Sequence, residues 1–315
     1  MANLKIIYIL LISLFIHCSK EGDDISGNNY QLLYKNESNF KGSNTTLDII
    51  TWNIENFPLN NTTPIYIEEI IDSLNVDIIA MQEIKGVDDF NNMVNSLANQ
   101  NWIGFRSGND EGSYDDNYQE LAYLINTSFI SINNNPYTIL NNYDYYFAYR
   151  EPFILEFTFQ NMPFILINNH YKCCGDGNLN IDDNGDQETR RYNANNLLKN
   201  YVDTNFPNTN VIIVGDFNDE LTDIQENNVF QQFLNDGTNY QFADFSIANG
   251  PIYNWSFPNW PSHLDHILIT NELFNNVEDI QTILLKDNDY YTYPGVYENN
   301  ISDHRPVGIK FLFEP

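Results

Sequence analysis

Short apolar runs, each rich in β-branched or aromatic residues, limit this chain more than any other feature. They are Leu47 to Trp52, Val76 to Met81, Leu121 to Ile125, Phe153 to Phe159, Phe164 to Ile167, Val211 to Val214, Leu264 to Ile269 and Val307 to Phe313. Runs of this length and composition read as buried strands. Polar clusters end or interrupt several of them, in the order Thr51-Trp52-Asn53, Met81-Gln82-Glu83, Asn169-His170, Gly215-Asp216-Phe217-Asn218 and Ser302-Asp303-His304. Carboxylates, amides and imidazoles therefore arrive repeatedly at strand ends, where metal and phosphate chemistry is usually built. One shared site is expected.

Helical pattern covers Pro64 to Leu74, Asp88 to Leu97, Glu188 to Tyr201 and Gln225 to Leu234, with Pro64 suited to a first turn. Strands outnumber helices, which predicts an α/β (α+β) fold of two packed sheets covered by helices. The 315 residues permit one large domain or two small ones. One domain, 46–315, is favoured, because the polar segments run from Asn53 to His304 and a cut between them would divide the site.

The N-terminus differs in kind. Lys5 precedes the run Ile6 to Ile12, with Leu14-Phe15-Ile16 close behind, so residues 1–17 read as a signal peptide too short to span a membrane comfortably. Cys18 resembles the lipid-attachment cysteine of a bacterial lipoprotein, although His17 departs from the small residue usual before it. Simple secretion is the alternative. Ser19 to Asp24 resembles the acidic tag of surface-displayed lipoproteins, and residues 18–45 read as a flexible tether. The expectation is an exported, monomeric protein on the outer membrane. Beyond Cys18 the cysteines are the neighbours Cys173 and Cys174. Adjacent Cα atoms lie ~3.8 Å apart, so a bond between them would be strained and lock a turn; two packed thiols are the other reading.

With 43 acidic and 14 basic residues, for a net charge of −29, the surface opposes nonspecific attraction to polyanions and anionic lipid. All five arginines, at 106, 150, 190, 191 and 305, nonetheless fall in or near the segments that carry chemistry. Glu83, Asn53 and Asp303 make an open set of oxygen ligands suited to Mg²⁺, with Mn²⁺ as a substitute. Asp265 and Asp303-His304 suggest a pairing in which a carboxylate fixes the imidazole and stabilises its cation. His263 and His266 read as supporting residues. In the acidic stretch after Cys174, Asn180, Asp182, Asn184 and Gly185 match the front half of a structural Ca²⁺ loop, but Arg191 stands where the bidentate Glu belongs, and a solvated loop is the alternative. The aromatic-rich run Tyr143 to Tyr149, and Tyr253, Trp255, Phe257 and Trp260, suit stacking on bases, capping of a hydrophobic headgroup, or core and loop packing.

Together, Trp52-Asn53, Gln82-Glu83, Gly215-Asp216-Phe217-Asn218, Leu264-Asp265 and Ser302-Asp303-His304-Arg305-Pro306 resemble the endonuclease/exonuclease/phosphatase superfamily, over about residues 45 to 314. The resemblance implies a four-layer sandwich of two mixed β-sheets flanked by helices, and metal-dependent phosphoester hydrolysis by in-line attack of water. It assigns Glu83, with Asn53 and Asp303, to the metal. Asp216 and Asn218 would direct the attacking water, and His304 on Asp265 would hold or protonate the phosphate, with His170 the second catalytic histidine. Tyr118-Gln119-Glu120 and Arg150-Glu151-Pro152 resemble the deoxyribonuclease I branch, in which Glu120 would partner His170, Tyr118 pack nearby and Arg150 grip a phosphate. Arg190 and Arg191 would face phosphate or lie on an exposed helix face. The leading expectation is a nuclease acting on DNA or RNA; the rivals are a hydrolase of small or lipid phosphoesters and a noncatalytic binding lipoprotein.

Overall fold

The computed structural model describes residues 39–108, 119–285 and 296–314, all within the unit Leu32–Pro315. The signal stretch, Cys18 and Tyr118 lie outside the described residues. One sheet has the order β12 (Val277–Thr282), β13 (Val307–Leu312), β1 (Thr46–Phe57), β2 (Ile78–Ile84), β4 (Glu120–Asn126), β3 (Trp102–Arg106). The second runs β10 (Tyr240–Phe242), β11 (Asp265–Thr270), β9 (Asn210–Asp216), β8 (Met162–His170), β7 (Phe153–Phe159), β5 (Ser131–Ile132), with β6 (Tyr137–Thr138) also on β7. Both sheets are mixed. Each contains one parallel pair, β1 with β2 and β8 with β9, and each pair is joined by a crossover helix, α1 (Thr63–Leu74) or α3 (Gln187–Asn205).

Side-chain alternation sorts these strands into layers. Ile50, Trp52 and Ile54 pack outward with Ile67, Ile70 and Leu74 of α1 and with Phe90 and Met93 of α2 (Val87–Leu97). Ile165, Ile167, Val211 and Ile213 pack outward with Ala194, Leu198 and Val202 of α3. Between the sheets lie Leu47, Ile49, Ile78, Ala80, Leu166, Ile212, Val214 and Ile267. The result is the four-layer sandwich that the resemblance implied.

The inner stripes continue past their apolar part at one end of the sandwich, where residues of the same parity become Asn53 and Glu55 on β1, Gln82 on β2, Asn168 and His170 on β8, Asp216 on β9 and Asp265 on β11. Side-chain hydrogen bonds there join the sheets. Gln82 Nε2 donates to Asn168 Oδ1 at 2.7 Å, and Asn53 Nδ2 donates to Asp216 Oδ2 at 2.9 Å. Asn168 Nδ2 also donates to the carbonyls of Met81 and Ala122, at 2.9 and 3.1 Å. Gly215 lets β8 and β9 approach: a Cβ there would stand 2.0 Å from the Asn169 carbonyl oxygen, and its φ is +144°.

Differences from the sequence expectation are local. The tether ends before residue 45, because Phe40 is fully buried against the α1 side and Gly42 N–H donates to the Leu74 carbonyl at 2.9 Å. The helix expected over Gln225 to Leu234 shrinks to α4 (Gln231–Leu234), since Asn228 Oδ1 accepts from Phe230 N–H and turns the chain first. β3, β10 and β12 were not foreseen.

The polar seam generates a stability prediction. Asn168→Leu strips partners from Gln82 and from two buried carbonyls, and should cost about 3 kcal/mol or more, read as a lowered urea midpoint at unchanged m-value.

Candidate active site

Glu83 reaches the polar end of the sandwich through a backbone device. Strict alternation after Gln82 would turn residue 83 outward, but Glu83 has φ +65°, and the β2–β4 register shifts between Met81 and Ile84. On β1, Asn56 has φ +52° and the β1–β2 register shifts between Asn53 and Phe57. These two left-handed residues meet: Asn56 N–H donates to Glu83 Oε2 at 2.9 Å. Non-glycine residues in this conformation are costly, and they cluster at functional sites.

His304 follows α5 (Val296–Asn300) and precedes β13. Its backbone is fixed by Trp52 Nε1 and Tyr297 Oη, which both donate to its carbonyl, and by Ser302 Oγ, which accepts its N–H and donates to the Asn53 carbonyl. Nδ1 lies 2.7 Å from Asp265 Oδ2, and Nε2 lies 3.9 Å from Asp216 Oδ2 and 4.0 Å from Asp303 Oδ1. Burial alone would lower its pKa, but the Asp265 and Asp216 carboxylates more than offset that and push it up to about 10. His304 is thus an imidazolium at neutral pH. Phe257 covers it, with ring centroids 4.8 Å apart.

Asp216 takes hydrogen bonds on both oxygens, from Asn53 Nδ2 and from the Asn218 backbone N–H at 2.9 Å. Burial raises its pKa to about 7 against the opposing pull of His304. Asn218, at φ +54°, donates Nδ2 to the Tyr171 carbonyl at 3.2 Å. His170 Nε2 stands 3.5 Å from Asp216 Oδ2 and 3.8 Å from Glu83 Oε1. Despite those carboxylates, full burial and the neighbouring Arg150 and His304 hold His170 well below its ordinary pKa, so it is neutral. The two histidines therefore differ in charge: one cation, one free base.

Beside them sits a carboxylate cluster that includes a residue the sequence reading missed. Glu55 shares a face of β1 with Asn53, and its pKa rises to about 7 through burial and the nearby Asp303 and Glu83. Its Oε2 is buried without a hydrogen-bond partner. Asp303 is likewise raised by burial and by Glu83. Carboxylates that raise one another in this way, one of them with an orphaned oxygen, suit a hard divalent cation, and Glu55, Glu83 and Asp303 are residues that could hold one. Asn53 aims its amide nitrogen at Asp216 and Glu83, and its Oδ1 accepts the Glu55 N–H at 3.1 Å. The missed signal was the two-residue spacing Asn53-x-Glu55 on one strand face.

Several assignments change. Gln119 bridges the site, donating to Glu83 Oε2 at 2.6 Å and accepting from Arg150 Nη1 at 2.9 Å. Arg150 spends its other contacts on the carbonyls of His170 and Tyr171 and so clamps backbone in this structure. Glu120 accepts from Ser107 Oγ at 2.5 Å; it does not partner His170, whose Nδ1 has no hydrogen-bond partner among the described residues. The substrate-facing reading of Arg190 and Arg191 fails because both are buried and bound. Arg190 donates to the Tyr145 carbonyl and lies 4.3 Å over the Tyr145 ring. Arg191 donates to Asp219 Oδ2 and to the carbonyls of Lys172 and Cys174, each at 2.7 Å, and pairs with Glu188 at 3.2 Å. In the acidic loop, one carboxylate oxygen each of Asp176, Asp186 and Glu188 lies within 4.8 Å of the others, a group that could hold a metal ion.

With the fold and site defined, the chain can be placed. The sequence model of the Endonuclease/Exonuclease/phosphatase family matches residues 50–304, and the chain belongs to that family. Members of the family are phosphoester hydrolases. No curated protein matches the sequence. Among solved structures, it is similar to D. rerio TDP2 complexed with a single-strand DNA product, at 14% identity and TM-score 0.60 over 85% of this chain and 100% of that one. It is similar to the human Nocturnin catalytic domain with bound sulfate, at 17% identity and TM-score 0.60 over 86% and 94%. A mannosyl-6-phosphatase from Bacteroides thetaiotaomicron aligns at 17% identity and TM-score 0.56 over 85% and 100%. At these identities the likeness concerns the fold.

Behind the site, Asp244 Oδ2 lies 2.6 Å from His266 Nδ1 and 3.1 Å from His263 Nε2, while His266 Nε2 faces the Asp219 carbonyl at 2.9 Å. Both His266 nitrogens face acceptors, so the ring is doubly protonated and the cluster is a closed ion pair. Burial opposes both charges, yet Asp244 raises the His266 pKa above its ordinary 6.5, and the histidines lower Asp244 below 3.8. The His266 contribution is complete below pH 6.5 and is lost as pH climbs through its raised folded value; that of Asp244 is complete above 3.8 and lost as pH falls through its depressed one. The pair should therefore stabilise most between those two values. His266→Gln should cost about 3 kcal/mol in that window and less above it, measured by urea unfolding across pH.

Proposed function

We propose that this protein is a magnesium-dependent phosphodiester hydrolase that cleaves accessible strands of nucleic acid, exported and lipid-anchored at Cys18, and active as a monomer. The observation that carries the reading is the opposition, at one end of the sandwich, of a cationic His304 against the Glu55, Glu83 and Asp303 carboxylates, with Asp216 between them. A bound divalent cation would supply Lewis acidity and neutralise charge on the phosphoryl oxygens, held by Glu83 and Asp303 with Glu55 beside them. Asp216, raised to about 7, accepts the proton of the attacking water, and Asn218 orients that water. His304 presents its Nε2–H to a phosphoryl oxygen while Asp265 holds the ring. Neutral His170 offers a second hydrogen-bonding nitrogen. Phe257 excludes water from one face of His304.

For the substrate, exposed aromatics count for more than arginines. Tyr149, 59% exposed, immediately precedes Arg150, and Tyr253 and Trp260, at 56% and 77%, lie on the loop that carries Phe257. Base stacking on such rings is tolerant of sequence and suits single strands. A second reading, a small phosphoester, is favoured by the burial of Arg190 and Arg191, which leaves the net charge of −29 without an arginine groove.

Supercoiled plasmid and a single-stranded oligonucleotide should both be cleaved with Mg²⁺ and spared with EDTA. Glu83→Gln or His304→Ala should lower the rate about a thousandfold with the fold intact by circular dichroism. Near-normal turnover by either variant would refute the site. Inert nucleic acid alongside hydrolysis of small phosphodiesters or sugar phosphates would select the second reading. Because few cations face the substrate, KM for the oligonucleotide should change less than about tenfold between 50 and 200 mM salt, where proteins making many phosphate contacts lose about a thousandfold or more in affinity.

A further inference from the structure

The segment that leaves His170 carries two cysteines that the reaction does not use. Cys173 Sγ and Cys174 Sγ lie 2.9 Å apart, and both thiols are free. Three features hold them there. Cys174 is left-handed at φ +69° and Gly175 follows at φ +122°, which sets the direction of the chain at the pair. Arg191 Nη1 donates to the carbonyls of Lys172 and Cys174, one on each side of Cys173, from a guanidinium anchored by Asp219. Lys172 Nζ contacts both the Cys173 carbonyl, at 3.1 Å, and its sulfur, at 3.4 Å. Two sulfurs held this close, on a backbone that a buried arginine has already fixed, have little conformational freedom left to lose on bonding.

From this geometry we infer that Cys173 and Cys174 are a modification site: they form a vicinal disulfide by exchange with an external disulfide, and the bond fixes the segment that leaves His170. The chemistry is asymmetric. Cys173 is half-buried with its sulfur beside the Lys172 ammonium, which favours the thiolate, while Cys174 is exposed. The Cys173 thiolate attacks one sulfur of R–S–S–R and expels RS⁻. Cys174 then loses its proton and attacks Cys173 Sγ, expelling the second RS⁻. The two thiols are oxidised, one disulfide is reduced, and two R–SH leave. Within the fold, the bond would tighten a segment whose first residue, Tyr171, offers its carbonyl to both Arg150 and Asn218.

The test uses the full chain, equilibrated in a series of oxidised and reduced glutathione ratios, alkylated and cut with trypsin. Cleavage after Lys172 and Arg190 isolates both cysteines in one peptide, away from Cys18. In the oxidising buffers that peptide should be lighter by two hydrogens and carry no alkyl group; after reduction it should carry two. Two alkylated thiols across the whole series, a retained glutathione or a link to another chain would overturn the inference. A second readout addresses the segment. Limited proteolysis within 173–186 should be about fivefold slower for oxidised than for reduced wild type, and redox-insensitive in the variant carrying Cys173→Ser and Cys174→Ser. Equal rates in oxidised and reduced wild type would overturn the fixing of the segment.

Discussion

Everything at the working end of this molecule depends on an abrupt change of polarity along the inner faces of two sheets. For most of their length the facing strands bury Leu, Ile, Val and Phe; at one end the same stripes become Asn53, Gln82, Asn168, His170, Asp216 and Asp265. Polar groups buried between sheets are tolerable only when each finds a partner. Gln82 finds Asn168, and Asn53 finds Asp216, so the groups that ready the site for chemistry also fasten the sheets to one another. Stability and function share atoms here. A change in that seam disturbs both.

The same economy appears in the backbone. Two parallel strands each take one left-handed residue, Asn56 and Glu83, and the pair is closed by a hydrogen bond between them. Their effect is to bring Glu83 round to the inner side and to send Ile84 and Phe57 outward, where both are buried in the layer against α1 and α2. Strain on the side of the polar cluster is thus balanced by packing on the helix side. Opposite them, β8 and β9 approach so closely at Gly215 that no side chain fits, which sets Asp216 beside His170.

Most of the architecture was legible in the chain because the central strands are apolar on both faces and bounded by polar clusters. The strands that escaped notice are edges or short: Val277–Thr282 carries Glu278, Asp279 and Gln281, and Tyr240–Phe242 spans three residues. Polar residues at a sheet edge look the same as a loop when read along the chain. The core of the site, from Asn53 to His304, was readable for the same reason as the strands. The supporting contacts were not. Whether Arg190 and Arg191 face solvent or the interior is decided by Tyr145 and Asp219, each tens of residues away, and nothing in Arg-Arg at a helix start discloses that. Gln119 was hidden between two more suggestive neighbours, and Glu120 went to Ser107 because the residue that follows β3 places its hydroxyl against that carboxylate.

Three of the five arginines, at 190, 191 and 305, are spent inside the protein. Their charges are neutralised locally by Glu188, Asp219 and main-chain carbonyls, so they do little to offset the acidic exterior. An exterior of this kind gathers an atmosphere of counter-ions, in which divalent cations are enriched over monovalent ones by their double charge. The carboxylates at the end of the sandwich then draw on a local reservoir richer in such ions than the bulk solution.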